Sequence, residues 1–264
     1  MRMSGSLALC ALFLTGGYAA AVEPTSEDAA KWSKVPYGAI INHCTVPGVV
    51  ALTFDDGPHE NTHHILDLLD DYGAHATFFV NGDNYGRGRI DDKSTPWPKT
   101  LQRMIRAGHQ IGSHTWAHVD MSEADHDTRY HQMRHLEQAL ADVLGTAMVP
   151  TYFRPPYATC SEECQRQMEE MGYHVVNFDL DTKDYENNTP DKIAHSIHKF
   201  SNALEAGRRG DSFLVLAHDV QKMTSQVLAG FMLEQIRRKG YKAVTVGECL
   251  NDPRSLWYRR LPRE

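Results

Sequence analysis

The chain has 264 residues, of which 41% are hydrophobic and 23% are charged. This composition supports a packed core and argues against disorder over most of the length. Lys and Arg total 27 against 34 Asp and Glu, which gives a net charge of −7. A protein that chiefly binds nucleic acid or anionic membranes needs a basic excess, so both classes are disfavoured. The 15 histidines leave several candidates for metal binding or proton transfer.

The first 21 residues have the pattern of a secretory signal peptide. Arg2 precedes an apolar run over 7–14, and small residues follow up to Ala21. The run is too short to span a bilayer comfortably. We therefore expect residues 1–21 to be removed and 22–264 to form one secreted domain, extracellular or in the cell wall. An uncleaved anchor is the alternative. The glycosylation triplet Asn187-Asn188-Thr189 supports secretion only weakly.

Strands and helices alternate along the rest of the chain. Apolar runs predict strands at 49–54, 76–80, 110–113, 152–153, 173–178, 213–216 and 241–246. Helical spacing predicts helices at 63–72, 99–107, 128–144, 162–171, 190–206 and 224–239, with a long loop over 82–98. Repeated strand–helix units with apolar strands form a parallel sheet covered by helices. We predict a single α/β domain, either a barrel or a doubly wound sheet.

Two adjacent carboxylates follow the first of these strands. Asp55 and Asp56 precede Gly57 and Pro58, and such a pair is costly near a buried strand unless something neutralises it. A metal ion would bind one carboxylate and leave the other free as a base. An ordinary strand-to-turn junction is the alternative, because Asp, Gly and Pro all favour turns.

Two histidines four residues apart follow the third strand. On one helical turn, His114 and His118 would face the same way and could share a metal ion. Thr115 stands where the zinc-protease motif HExxH has its glutamate, so the protease interpretation fails. Two solvent-exposed histidines on a loop are the alternative.

Three further segments lie at predicted strand ends. Arg154 and Tyr157 flank two prolines that hold the backbone extended. This rigid segment could direct the guanidinium at a carboxylate and the Tyr157 amide at an oxyanion, or it could be only a stiff connection. Asp184 follows one later strand and His218 ends another. Each of these signals is weak alone.

Together the five segments resemble the polysaccharide deacetylase family, the NodB-homology enzymes of carbohydrate esterase family 4, and within it the fungal chitin deacetylases. The motifs Thr-Phe-Asp-Asp-Gly-Pro, His-(Ser/Thr)-x-x-His, Arg-Pro-Pro-Tyr and Leu-x-His are all present. The motif Asp-x-x-Asp-Trp departs, since Tyr185 replaces the tryptophan. The resemblance spans residues 44 to 250 approximately. It implies a distorted (β/α) barrel with about seven parallel strands.

The resemblance also implies a reaction. Members hydrolyse N-acetyl groups of N-acetylglucosamine units in chitin or chitooligosaccharides, releasing acetate and leaving chitosan. Asp56, His114 and His118 would hold Zn²⁺, or Co²⁺ as the alternative. Asp55 would be the base and His218 the acid.

Supporting roles follow from the same resemblance. Arg154 would hold Asp55 in place and keep it ionised, and Asp184 would orient His218. The Tyr157 amide would bind the oxyanion, while Leu216 and Tyr185 would line the acetyl pocket.

The cysteines leave three pairings open. Signal cleavage would remove Cys10 and leave an even number in an oxidising compartment, where disulfides form. Four free thiols are the alternative. The resemblance implies the pairs Cys44–Cys249 and Cys160–Cys164.

Several rival functions use the same residues. The same motifs serve peptidoglycan N-acetylglucosamine deacetylases and acetylxylan esterases. A serine esterase is disfavoured because no Gly-x-Ser-x-Gly is present. An inactive carbohydrate-binding protein would be expected to lack one of the motif residues. We expect a monomer whose partner is a chitin-type substrate, with no nucleic acid and no membrane attachment after cleavage. Tyr85 and Trp97 in the 82–98 loop either border the sugar cleft or belong to a plain surface loop.

Overall fold

The computed structural model describes residues 34–208 and 210–262, so the predicted signal peptide at 1–21 lies outside it. Nine strands in this part of the chain form one parallel sheet. They are β1 (Ile40–Ile41), β2 (Val49–Asp55), β3 (Thr77–Val80), β4 (Gln110–Ser113), β6 (Tyr152–Phe153), β7 (His174–Val176), β8 (Leu180–Asp181), β9 (Phe213–His218) and β10 (Lys242–Val244). A separate antiparallel pair consists of β5 (Val149–Pro150) and β11 (Tyr258–Arg259).

Helices pack around the sheet. They are α1 (Thr62–Tyr72), α2 (Trp97–Arg106), α3 (His126–Leu144), α4 (Glu162–Glu170), α5 (Ile193–Ala206), α6 (Ala229–Lys239) and α7 (Val246–Cys249). Short 3₁₀ turns occupy Pro156–Ala158, Asp184–Glu186 and Arg254–Leu256, and a wide π-helical turn occupies Thr224–Leu228. In the described residues, no helix is both long and apolar enough to cross a membrane.

The strand order is β1-β7-β6-β4-β3-β2-β9-β8, and β10 pairs with β2 beside this path. The parallel strands curl into a half-barrel with helices around it, so the predicted single α/β domain is confirmed. The seven predicted strands correspond to β2, β3, β4, β6, β7, β9 and β10. The four strands that were not predicted, β1, β5, β8 and β11, have two residues each, which is too short to produce a periodic signal.

Strand β2 lies at the centre of the sheet and positions the site. All seven of its residues are buried, as expected for a parallel strand covered on both faces. Its partner β9 pairs Asp55 with His218, and β3 pairs Asp55 with Phe79. The carboxyl ends of these strands therefore align, and residues that follow them meet at one edge of the sheet.

The predicted helix over 224–239 begins instead with the π-helical turn. There the Thr224 hydroxyl donates a hydrogen bond to Asp184, and the Met223 amide donates to Asn188. The regular helix α6 starts after this turn. The departure from helical geometry thus coincides with contacts to the segment that carries Asp184.

Two disulfides are present. Cys44–Cys249 joins the segment before β2 to α7, and Cys160–Cys164 closes a short loop at the start of α4. This is the pairing that the family resemblance implies.

Candidate active site

Three side chains from two strand ends form a candidate metal site. The Nε2 atoms of His114 and His118 lie 3.5 Å and 3.4 Å from Oδ1 of Asp56. The ligand atoms of the three residues all lie within 4.8 Å of one another. The Nδ1 atom of His114 is 2.7 Å from the carbonyl oxygen of Arg154. An Nδ1–H donor to that carbonyl leaves the Nε2 lone pair directed at the site.

The chemistry of these residues fits a divalent cation. Oδ1 of Asp56 is buried and has no hydrogen-bond partner in the described residues, which is unusual for a buried polar atom. Burial raises the pKa of Asp56, but nearby His114, His218 and His118 outweigh it and hold the pKa below its usual range. Burial and then His114 lower the pKa of His118. An ionised carboxylate and neutral imidazoles are the donors that Zn²⁺ prefers.

The predicted helical turn at the two histidines is wrong. After β4 the chain forms a loop in which Thr115 has φ 71° and His118 has φ 53°. The side-chain Nδ2 of Asn81 donates to the backbone carbonyl oxygens of His114 and Thr115, at 2.5 Å and 3.0 Å. These carbonyls are therefore not free for helical hydrogen bonds, and the loop itself brings the imidazoles together.

Asp55 lies at the end of β2, and the backbone adopts a left-handed conformation at the next residue, Asp56, with φ 78°. Oδ1 of Asp55 accepts a hydrogen bond of 2.8 Å from Nη1 of Arg154. The buried guanidinium also donates to Thr53 and to the carbonyl oxygens of Val176 and Asn177. Oδ2 of Asp55 lies 3.9 Å from Nε2 of His114. The carboxylate is thus held by one oxygen beside the candidate metal site.

His218 is paired with the buried carboxylate of Asp184. Nδ1 of His218 lies 2.8 Å from Oδ1 of Asp184, and the His218 amide donates to Oδ2 at 2.7 Å. Burial lowers the pKa of His218, but Asp184 and then the charges of Asp56 and Asp55 outweigh it and raise the pKa to about 10. The imidazolium is therefore available as an acid at neutral pH.

Two exposed tyrosines and one leucine surround these groups. Tyr157 has φ 59°, and its ring makes a T-shaped contact with the His118 ring, with 4.8 Å between centroids. The Tyr185 ring lies edge-on to His218 at 5.2 Å, and its hydroxyl oxygen is 2.6 Å from Nζ of Lys183. Leu216 is buried in β9, two residues before His218. Tyr185 thus places an aromatic ring beside His218, at the position where the motif Asp-x-x-Asp-Trp has tryptophan.

Sequence reasoning missed Asp219 and left the placement of Tyr85 and Trp97 open. Tyr85 donates a hydrogen bond of 3.2 Å to Oδ2 of Asp56, although its loop carried only a weak signal. Asp219 is fully buried and packs against Gly57, where an added Cβ would lie 2.1 Å from its Oδ2. Its position directly after His218 was the available clue. Trp97, considered as a cleft aromatic, is 7% exposed and begins α2.

The fold and site define a single α/β domain with a candidate metal centre at the carboxyl ends of parallel strands. A family model described as polysaccharide deacetylase matches residues 42–176, and the chain belongs to this family.

Individual relatives agree with the family assignment. The chain is 43% identical over 248 residues to a chitin deacetylase of Colletotrichum lindemuthianum, covering 94% of this chain and 98% of the relative. A solved chitin deacetylase from the same fungus superposes with a TM-score of 0.81 and 43% identity, covering 87% of this chain and 99% of that one. A probable peptidoglycan-N-acetylglucosamine deacetylase of Arthroderma benhamiae is 42% identical over 86% of this chain, which spans 50% of that relative.

Proposed function

We propose that this protein is a secreted chitin deacetylase that hydrolyses the N-acetyl groups of N-acetylglucosamine units, releasing acetate. The observation that carries the proposal is one cluster that combines a candidate metal triad with an arginine-held carboxylate, Asp55, and an aspartate-held imidazole, His218. Amide hydrolysis needs a base for the water and an acid for the departing amine. Similarity to chitin deacetylases over nearly the whole chain supports the choice of substrate.

We assign Asp56, His114 and His118 as the residues that would hold the ion, Zn²⁺ or alternatively Co²⁺. When bound, the ion supplies Lewis-acid chemistry that polarises the acetamide carbonyl and makes water a stronger acid. The unpartnered Oδ1 of Asp56 supports this assignment.

Asp55 is assigned as the base. Its Oδ1 is engaged by Arg154, so Oδ2 is the oxygen that takes the proton from the attacking water. The backbone N–H of Tyr157 is assigned to the oxyanion that develops on the carbonyl oxygen of the acetyl group. The left-handed conformation at Tyr157 and Ala158 sets the direction of that N–H. A donor of this kind contributes about 3 kcal/mol to transition-state stabilisation.

His218 is assigned as the acid that protonates the departing amine. Asp184 accepts from both the ring and the amide of His218 and so orients the imidazolium. Leu216 and Tyr185 are assigned to the acetyl methyl pocket, since both lie on the side of the site that carries His218.

The direct test is mass spectrometry of a defined N-acetylglucosamine oligomer after incubation with the protein expressed without residues 1–21. We expect products that have lost one or more acetyl units. Incubation with an Asp55→Asn variant should leave the mass of the oligomer unchanged. An unchanged oligomer mass with metal-loaded protein would contradict the proposal. Removing metal with a chelator should abolish acetate release, and Zn²⁺ should restore it.

The second candidate is deacetylation of N-acetylglucosamine in peptidoglycan, which the similarity to the Arthroderma benhamiae relative favours. The bond cleaved and the sugar are the same, so the site geometry serves both substrates. Acetate release from chitooligosaccharides, peptidoglycan and acetylated xylan at equal concentration separates them. We expect chitooligosaccharides to give the highest kcat/KM.

A further inference from the structure

Tyr85 reaches the candidate metal site from a surface loop. Its side chain is 58% exposed, yet its hydroxyl donates a hydrogen bond of 3.2 Å to Oδ2 of Asp56. Oδ1 is the oxygen of the same carboxylate that lies 3.4–3.5 Å from the two imidazoles. The two oxygens of Asp56 therefore have different neighbours: Oδ2 accepts from the Tyr85 hydroxyl, and Oδ1 faces the two candidate metal-binding histidines.

A chain of hydrogen bonds returns from Tyr85 to a second residue of the triad. The Tyr85 amide donates to Oδ1 of Asn84 at 2.9 Å, and Nδ2 of Asn84 donates to Oδ1 of Asn81 at 2.9 Å. Nδ2 of Asn81 donates in turn to the carbonyl oxygen of His114 at 2.5 Å. Asp56 and His114 are thus connected through four consecutive hydrogen bonds that involve three residues outside the triad.

The loop that carries Tyr85 is anchored on both sides. Asn81 is fully buried, and Nη2 of Arg87 donates to the carbonyl oxygens of Asn81 and Gly57 at 2.7 Å and 3.1 Å. The Trp97 indole donates to the carbonyl oxygen of Arg87 at 3.0 Å. Tyr85 itself has φ 55°, a conformation that the Asn84 contact stabilises. The phenol is therefore held near Asp56 by the loop structure.

We propose that Tyr85 is a positioning residue of the metal site. Its hydroxyl fixes the Asp56 carboxylate so that Oδ1 is presented to the ion, and Asn84 holds Tyr85 in place. Hydrogen bonds to metal-ligating carboxylates typically change metal affinity by about 10-fold to 100-fold. The inference rests on the proposed function, because it concerns the same candidate metal centre.

The test is Zn²⁺ affinity of metal-free protein, measured by competition with a chromophoric chelator. We expect Tyr85→Phe, which keeps the ring and removes only the hydroxyl, to bind Zn²⁺ about 10-fold more weakly. The matched control is Tyr72→Phe, an exposed tyrosine on α1 whose hydroxyl donates to Glu234; its affinity should equal that of the wild type.

The possible results separate this inference from the proposed function. Wild-type affinity in Tyr85→Phe overturns the role of Tyr85 and leaves the metal centre standing. No Zn²⁺ binding by the wild type overturns both. Equal unfolding midpoints for metal-free wild type and Tyr85→Phe support a local effect, whereas a lower midpoint that accounts for the affinity loss contradicts it.

A second variant tests the route through Asn84. Asn84→Ala should weaken Zn²⁺ binding in the wild-type background. It should have little further effect in the Tyr85→Phe background, because both substitutions disrupt the same contact between the Tyr85 hydroxyl and Asp56. Equal fold-losses in the two backgrounds would show that Asn84 does not act through the Tyr85 hydroxyl.

Discussion

Asp55 and His218 are partners in the register of two adjacent parallel strands, β2 and β9. Each is the last residue of its strand. The separation between the assigned base and the assigned acid is therefore set by backbone hydrogen bonds of the sheet. Arg154 and Asp184 then orient the two side chains from neighbouring segments. The proton-handling groups are placed by the most buried part of the fold.

Replacing either group should remove most of the activity. Asp55→Asn keeps an oxygen to accept from Arg154 but cannot take a proton, and His218→Ala cannot supply one. We expect kcat for acetate release to fall by about 10²–10⁴-fold in each variant. Asp71→Asn, an exposed change on α1, is the control and should match the wild type. A variant with full activity would remove that residue from the proton-transfer steps.

The alkaline limb of the pH–rate profile should depend on Asp184. Burial alone lowers the pKa of His218, and Asp184 is the main group that raises it, to about 10. Asp184→Asn removes the charge, so the acid loses its proton at lower pH and the alkaline limb moves down. The exposed Asp191→Asn should leave the profile in place. An unmoved limb in Asp184→Asn would show that Asp184 does not set this titration.

Arg154 should be far more important for stability than a surface arginine. Its guanidinium is 1% exposed and is paired with Asp55, which is also buried. Arg154→Lys leaves several buried acceptors without a donor, and we expect a loss of roughly 3–5 kcal/mol in the free energy of unfolding. Arg237→Lys, in an exposed pair with Glu234, should cost less than about 1 kcal/mol. Urea unfolding compares them, and similar losses would contradict the expectation.

Asp219 should make stability depend on pH. Burial and the charges of Asp56 and Asp55 raise its pKa to about 7, against the opposing effects of Thr62 and Arg87. A carboxyl group with a raised pKa in the folded state contributes its stability at acidic pH and loses it as pH rises through about 7. Asp219→Asn should therefore flatten the stability profile between about pH 4 and 7.

The measurement for Asp219 is urea unfolding at several pH values on metal-free protein. Asn keeps an oxygen that can accept from the Thr62 hydroxyl, the contact seen in the structure. Asp92→Asn, on an exposed carboxylate, serves as the control. Parallel pH profiles for the wild type and Asp219→Asn would show that Asp219 does not titrate in this range.

Structure could be predicted from the sequence where a local residue pattern is compatible with only one conformation. The apolar run of β2 followed by Asp55 and Asp56 predicted a buried strand with chemistry at its carboxyl end, and the structure agrees. The loop at His114 and His118 could not be predicted, because its conformation depends on the distant Asn81 amide. The contact of Tyr85 with Asp56 could not be predicted either, since it joins residues on different loops.

The order of strands in the sheet implies that an ion bound at the candidate metal site would affect stability. Asp56 follows β2 and the two histidines follow β4, while β3 lies between these strands. A cation bound by all three side chains would connect the segment after β2 with the segment after β4. These two strands are not hydrogen-bonded to each other, so the ion would add a cross-link that the sheet does not provide. Binding of the ion should then raise the melting temperature by mass action. Thermal stability and catalytic activity should therefore increase together as metal is added.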